Sequence, residues 1–529
     1  MKKILALLLA LLMVAGTLSL VACGDKNPDN GKKDDPAVDP AQDPGSDPGT
    51  APADPGTDPV DPGTDPVDPG TDPVDPVNPE EDPNRKYWDN LPEKMDFGGD
   101  TIRFIGHSLG GMILPNRENI NEGDAVEMAM YMRELEVEDR LNVALDYLEE
   151  LDYSGVTASK LGLDVTSGSG DYDIVTGHMK FDCNAALQGY CLNLNKLTNI
   201  DLTRDYWNQR YTEVWGYKTI NPWTTGDITY TFIALMMGLF VNATEFVQAY
   251  PDADLFKLVE DGKWTLENLA VYANNFSKDM DGDGAVTEID ANGKYVDMFG
   301  LAFRSNWVEA SFCYGAGISI AQKSGSKYVV KLATPENEAI YAKLKAVYDS
   351  PNTRKSDTYP GLDTNLFVVM EISAMAELRE APYEYWVLPL AKASEEDDYH
   401  TPSYDGVPLV GVDAIVAQER YDEIGAVMEA LAANGKKYLT PAYFEIALQS
   451  KYARNEGTMR CLSIIRDHGW CDFGFAWCNF LSGLDTMAGD GLIHGIASMS
   501  AMEASHGATI EAGVNKLYTQ YNTLLKKEK

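Results

Sequence analysis

Positive charge is what this chain has least of. Its 529 residues carry 43 Lys and Arg against 82 Asp and Glu, a net charge of −39. A phosphate backbone needs a basic footprint, so this balance excludes nucleic acid as a partner. It also excludes tight adhesion to anionic lipid by the protein surface itself. Zinc-type cysteine pairs are missing too: Cys183, Cys191, Cys313, Cys461, Cys471 and Cys478 show no Cys-x-x-Cys spacing. Spacing leaves Cys183–Cys191 and Cys471–Cys478 open as disulfides and leaves free buried thiols equally open.

The segment 25–84 lacks nearly everything that builds a core. It is made mostly of Asp, Pro, Gly, Thr and Val, and the seven residues Asp54-Pro55-Gly56-Thr57-Asp58-Pro59-Val60 recur from Asp61 and again from Asp68. Seventeen acids against three lysines give this stretch a charge of −14. Proline removes backbone donors and the aspartates repel one another, so no packed structure forms. The period of seven is no coiled coil, because there is no apolar seam and proline at this density forbids a helix. The expectation is an extended tether over 23–84, able to span well over ~100 Å at ~3.1 Å per residue.

Ahead of it, Met1-Lys2-Lys3 precedes an apolar run from Ile4 to Leu20 that closes on Leu20-Val21-Ala22-Cys23. The run is short and ends in small residues, the pattern of an exported leader and not of a spanning helix. It resembles a bacterial lipoprotein signal over 1–22, cut before Cys23, which then receives lipid. That resemblance implies a protein anchored by lipid to the outer face of the cell membrane.

About 445 residues remain, enough for a large core in two lobes. Asp100 to Ile105 alternates like a strand, and Asn121 is placed to cap a helix running to about Arg140. Val143 to Leu148 reads as a strand, 157–165 as a helix, and Tyr172 to Thr176 as a buried strand. Strand, helix, strand, helix, strand predicts a parallel sheet, whose ligands lie beyond the strands' carboxyl ends near Gly177-His178-Met179-Lys180. Further on, Thr229–Val241, Phe299–Phe303 and Tyr385–Leu390 read as strands, Pro335–Tyr348 as a helix, and the last hundred residues as mainly helical.

The sharpest local motif is Asp279-Met280-Asp281-Gly282-Asp283-Gly284-Ala285-Val286-Thr287-Glu288-Ile289-Asp290. Carboxylates fall at loop positions one, three, five and twelve, with Gly284 at six, the carbonyl of Ala285 at seven and Val286 at eight. The pattern predicts a structural Ca²⁺ held by Asp279, Asp281, Asp283, Ala285 and Asp290; its rival is a solvated acidic turn. A second motif, Gly106-His107-Ser108-Leu109-Gly110-Gly111, spells a lipase nucleophile elbow. An elbow needs sheet strands and an oxyanion loop upstream, and only the tether precedes this one, so an esterase using Ser108 is the lesser reading.

Several stretches together resemble an extracellular solute-binding protein of an ABC importer, in the class of maltose-binding protein and its clostridial-type branch. They are Gly123-Asp124-Ala125-Val126 with Glu136 to Val143, Asp171 to Val175, Gly262-Lys263-Trp264-Thr265, Trp386 to Lys392, and Pro441 to Leu448 with Lys451 to Arg454. The resemblance implies a type II periplasmic-binding-protein-like α/β fold with two lobes joined by hinge crossovers. It places lobe 1 at 97–230 plus 392–435 and lobe 2 at 231–391 plus 436–529. It also implies a non-enzymatic, monomeric receptor that closes on a solute and passes it to a permease.

Aromatic faces stack on sugar rings and carboxylates accept hydroxyl hydrogen bonds. The candidate solute contacts are therefore His178, Asp182, Trp207, Tyr230, Trp307, Tyr314, Tyr404 and Asp405. They favour a sugar or oligosaccharide over a peptide or other small solute.

Overall fold

The computed structural model describes residues 86–107, 117, 120–121, 123–150, 155–286, 296–303, 306–355, 361–444, 455–481, 483 and 486–528. Ser108, Asp290 and Cys23 lie outside them, as does the Trp307 side chain.

The first sheet holds β1 (Asp100–His107), β2 (Val143–Glu150) and β3 (Ile174–His178) in parallel, in the order β3-β1-β2. Helix α1 (Ala125–Leu141) and helix α2 (Val156–Ser167) make the crossovers expected of parallel strands. Asn121 does not cap α1. Asp124 does, its carboxylate accepting from the amides of Val126 and Glu127 at 2.8 and 3.1 Å, because Gly123 and Asp124 supply the turn and the acceptor next to the first apolar turn.

The second sheet is built from β4 (Met237–Asn242), β5 (Met298–Phe303), β6 (Asn365–Glu371) and β7 (Tyr385–Leu388), with β6 between β4 and β5 and β7 on the far side of β4. β6 runs parallel to β5, while β4 is antiparallel to both β6 and β7. The run 229–241, expected as one strand, is a helical turn Thr231–Ala234 followed by β4. Here the chain passes from one sheet to the other, and tertiary position overrides its β-branched composition. It returns with β8 (Pro408–Val412), an antiparallel edge on β3 that completes the first sheet.

Helix α3 (Tyr421–Asn434) packs on α1, so the first lobe has helices on its outer face. Helix α4 (Glu456–Asp467) packs on β7 in the second lobe, and the long α5 (Met499–Lys527) closes the fold. Ile102, Phe104, Val137, Ile174, Val410 and Leu431 form the outer core of lobe 1. A larger core fills lobe 2 and continues through Tyr211, Trp215, Tyr217 and Trp223 onto the inner face of the first sheet.

The folded body starts earlier than the Phe97 expected. Arg140, at the end of α1, holds Asp89 through two hydrogen bonds of 2.7 and 2.8 Å, with both side chains buried. Its guanidinium also lies 3.7 Å from the Tyr87 ring centroid. Among the described residues no cysteine is in a disulfide, and burial pushes up the thiols of Cys183, Cys191, Cys313, Cys461 and Cys471, so these five are poor nucleophiles. Among the described residues no helix is long and apolar enough to cross a membrane.

Candidate functional site

The topology sets two strand edges against one hinge. In lobe 1 the carboxyl ends are His107, Glu150 and His178, and His178 pairs with Pro408, where the chain re-enters after its second crossing. In lobe 2 the carboxyl end of β6, Glu371, pairs with Met237, where the first crossing ends. The two crossings are bonded together: Tyr404 donates its amide to the Leu235 carbonyl at 2.8 Å, and Met237 to that of Pro402 at 2.9 Å. Both sheets therefore present their carboxyl ends to the same ribbon, where α/β folds bind ligands.

On the lobe 1 side of this ribbon, Lys180 Nζ donates to Asp405 Oδ2 at 2.8 Å, and the Lys180 amide donates to the Asp405 carbonyl at 3.2 Å. His178 Nε2 is 3.9 Å from the other carboxylate oxygen, and its ring packs on Phe181 and Tyr404 at centroid distances of 4.8 and 5.9 Å. Burial, with help from His107 and Lys180, pushes His178 down to about 3, so the imidazole is neutral. Gly406 is required here, because a Cβ at that position would meet the Tyr404 ring at 2.6 Å and His178 Nε2 at 2.9 Å. A neutral imidazole, a compensated ammonium and a half-buried tyrosine thus lie together at the end of β3.

The other candidates divide. Asp182 is fully engaged by the backbone, accepting from the amides of His178 and Ala158 at 2.8 Å each. Burial raises it to about 6 against those two donors, and it fixes the end of β3 to the start of α2. Trp207 is 1% exposed, and its indole N–H donates to Glu429 on α3 at 3.2 Å, so it belongs to the lobe 1 core. Tyr314 is fully buried in lobe 2 against Trp470 and Phe475. Tyr230 is half-buried in the first crossing, 5.3 Å from the Tyr443 ring. In the sequence Lys180 stands only as part of a strand end, since its partner Asp405 lies 225 residues away, a separation without a local signal.

In the acidic loop, ligand atoms of Asp279, Asp281 and Asp283 lie within 4.8 Å of one another. Asp279 also accepts from the amides of Gly282 and Gly284 at 2.6 and 2.9 Å, and Asp283 from that of Ala285 at 2.8 Å. The positive φ of 76° at Gly282 and 88° at Gly284 lets the chain wrap the carboxylates. The first half of the expected loop is thus brought together; Asp290 lies outside the described residues.

No protein-family model matches the chain, and no curated protein sequence does. Among solved structures, a cyclic alpha-maltosyl-1,6-maltose binding protein from Arthrobacter globiformis matches with a TM-score of 0.53 at 13% identity, over 79% of this chain and all of that one. The chain has the two-lobed α/β fold of the solute-binding proteins. An ABC substrate-binding protein from Listeria monocytogenes in complex with cycloalternan matches at a TM-score of 0.46, 14% identity and coverages of 80% and 99%. An extracellular solute-binding protein from Staphylococcus aureus in complex with maltose matches at 0.49, 13% identity and 80% and 98%. The fold assignment rests on the first of the three, and at these identities likeness establishes fold and not ligand.

Proposed function

We propose that this protein is a lipid-anchored receptor on the outer face of the cell membrane that captures a carbohydrate between its lobes and delivers it, unaltered, to an ABC permease. The observation that carries the reading is the convergence of both sheets' carboxyl ends on one hydrogen-bonded hinge ribbon, with the neutral His178–Lys180–Asp405–Tyr404 wall beside it. The Arthrobacter neighbour, a cyclic alpha-maltosyl-1,6-maltose binding protein, supports an oligosaccharide as the solute class. Isothermal calorimetry against linear and cyclic α-glucans, monosaccharides and short peptides tests it. An α-glucan is expected to bind with a Kd in the micromolar range, about −8 kcal/mol; binding confined to peptides would reject the carbohydrate assignment.

The same reading includes a structural Ca²⁺ at Asp279, Asp281, Asp283, the Ala285 carbonyl and Asp290. A cation bound only by the folded state stabilises it by mass action. Chelation is expected to lower the melting temperature by about 5 °C, and Asp281→Ala to remove the response to chelator. An unchanged melting curve would leave a plain acidic turn.

A further inference from the structure

The C-terminal helix does not stay with the lobe in which it starts. α5 has 29 residues, a rod of about 43 Å at 1.5 Å per residue, and no proline interrupts it. Its first turn is fixed to lobe 2. Glu338, on the helix Pro335–Tyr348, accepts from the amides of Met499 and Ser500 at 3.1 and 2.7 Å, and Glu503 accepts from the Ala333 amide at 2.8 Å. Met499, Met502, Ile510 and Leu517 are buried in the larger core. Further along, the Tyr518 hydroxyl oxygen accepts from the Tyr328 amide at 2.6 Å. Tyr521 then donates to the Trp215 carbonyl, and the Tyr217 ring packs on Tyr518 and Tyr521 at 4.9 and 5.5 Å, where that core runs toward the first sheet.

The end of the helix lies on lobe 1. A Cβ on Gly189 would stand 3.5 Å from the Leu524 side chain. Glu528, just past the last turn, accepts from Asn193 Nδ2 at 3.1 Å and pairs with Lys196 Nζ at 3.1 Å. Asn193 and Lys196 flank Leu194, which is buried with Leu192 and Leu197 in the outer core of lobe 1. This contact is at the opposite end of β3 from the candidate site. The Leu192 amide donates to the Val412 carbonyl at 2.8 Å, and Val412 pairs with Ile174 whereas Pro408 pairs with His178.

The two grips differ in kind. The lobe 2 grip is buried and apolar, so releasing it would open the core. At the lobe 1 grip the Lys196 and Glu528 side chains are 42% and 21% exposed, beside a cavity of about 230 Å³ bounded in part by Cys191, Ile220, Pro222 and Leu524. An exposed pair of this kind is weak, and salt screens it. A stiff rod held by two bodies lets go at the weaker hold when they shift.

We infer that the end of α5 is a releasable latch, in which Glu528, held by Lys196 and Asn193, fastens the C-terminal helix of lobe 2 to lobe 1 on the side away from His178. The latch rests on the proposed receptor's lobe movement, and its test needs no solute. Spin labels at Leu163→Cys in lobe 1 and Val271→Cys in lobe 2, both exposed, report the interlobe distance distribution of the full chain. Glu528→Gln is expected to raise the population outside the main distance peak about threefold, the scale of one exposed ion pair. In the parent protein 1 M sodium chloride should do the same, and in Glu528→Gln it should add little. Lys196→Glu is expected to broaden the distribution as well, and the exchanged pair Lys196→Glu with Glu528→Lys to narrow it again.

Distributions in Glu528→Gln and Lys196→Glu that match the parent's would make the contact a surface pair without consequence and overturn the inference. So would an exchanged pair that stays as broad as Lys196→Glu alone. Failure of every sugar to bind, with the salt-sensitive broadening still present, would instead sink the proposed function and leave the latch standing.

Discussion

Asp405→Ala is expected to weaken solute binding about a hundredfold, roughly 2.7 kcal/mol, within the range for deleting one member of a buried, hydrogen-bonded charge pair. Asp405 is 4% exposed and holds Lys180 through its carboxylate while its main chain anchors the Lys180 amide. Without it, the Lys180 ammonium loses its partner in the proposed site, and the end of β3 loses its side-chain tie to the second crossing. Asp405→Asn keeps an acceptor but not the charge, and about a tenfold loss is expected. Calorimetry with the best-binding glucan measures both, and circular dichroism separates misfolding from lost contact. Unchanged affinity in the alanine variant would remove the Lys180–Asp405 wall from the site.

The second large effect is on stability with pH. Asp413 is fully buried after β8, and burial, together with the nearby Asp164 and Asp173, pushes it up to about 7 against the Ile415 amide that stabilises its anion. On Asp164 burial also pushes upward, but the Asp171 amide and Ser169 hydroxyl outweigh it and keep that carboxyl ionised. Glu429, buried between Tyr206 and Trp207, is likewise raised to about 7, mainly by burial. Arg103 and Arg420 neutralise the adjoining Asp173 and not Asp413 itself.

Both raised values exceed those of the unfolded chain, so between about pH 4 and 7 the native state holds protons that the unfolded state has released. Stability from these groups therefore rises as pH falls through that window and is lowest above it. His178 opposes this below about pH 6.5, where the unfolded imidazole gains a proton that the native one refuses. The melting temperature is expected to decline from pH 6 toward pH 8. Asp413→Asn, which cannot ionise, should flatten that decline and stabilise the protein at pH 8 by on the order of 2 kcal/mol. A variant that melts with the parent's pH profile would show that Asp413 is not the titrating group.

Much of the scaffold was legible because local chemistry and tertiary placement agree. Pro335–Tyr348 is helical over the expected span, with Thr334 capping it and Pro335 in its first turn. The parallel core β1, β2 and β3 follows from alternation broken by helical periods. Agreement failed where the chain changes lobes: 229–241 has strand composition throughout, yet its first half is a hinge turn.

The site was legible only as a place. The end of β3 could be named from the strand pattern, and His178 with it. Composition does not distinguish Trp207, committed to Glu429 in the core, from an aromatic lining the cleft. Asp182 and Asp405 look alike in sequence. One is spent on two backbone amides and the other on Lys180, a difference created by which strand each meets.

The central claim, that two lobes close on a carbohydrate and return it unchanged, is tested most directly by the interlobe distance between labels at Leu163→Cys and Val271→Cys during titration with α-glucans, with the glucan recovered afterwards. The account predicts a saturable shortening of that distance and recovery of intact glucan. A distance that stays fixed at saturating glucan, or a glucan recovered cleaved or modified, would contradict it.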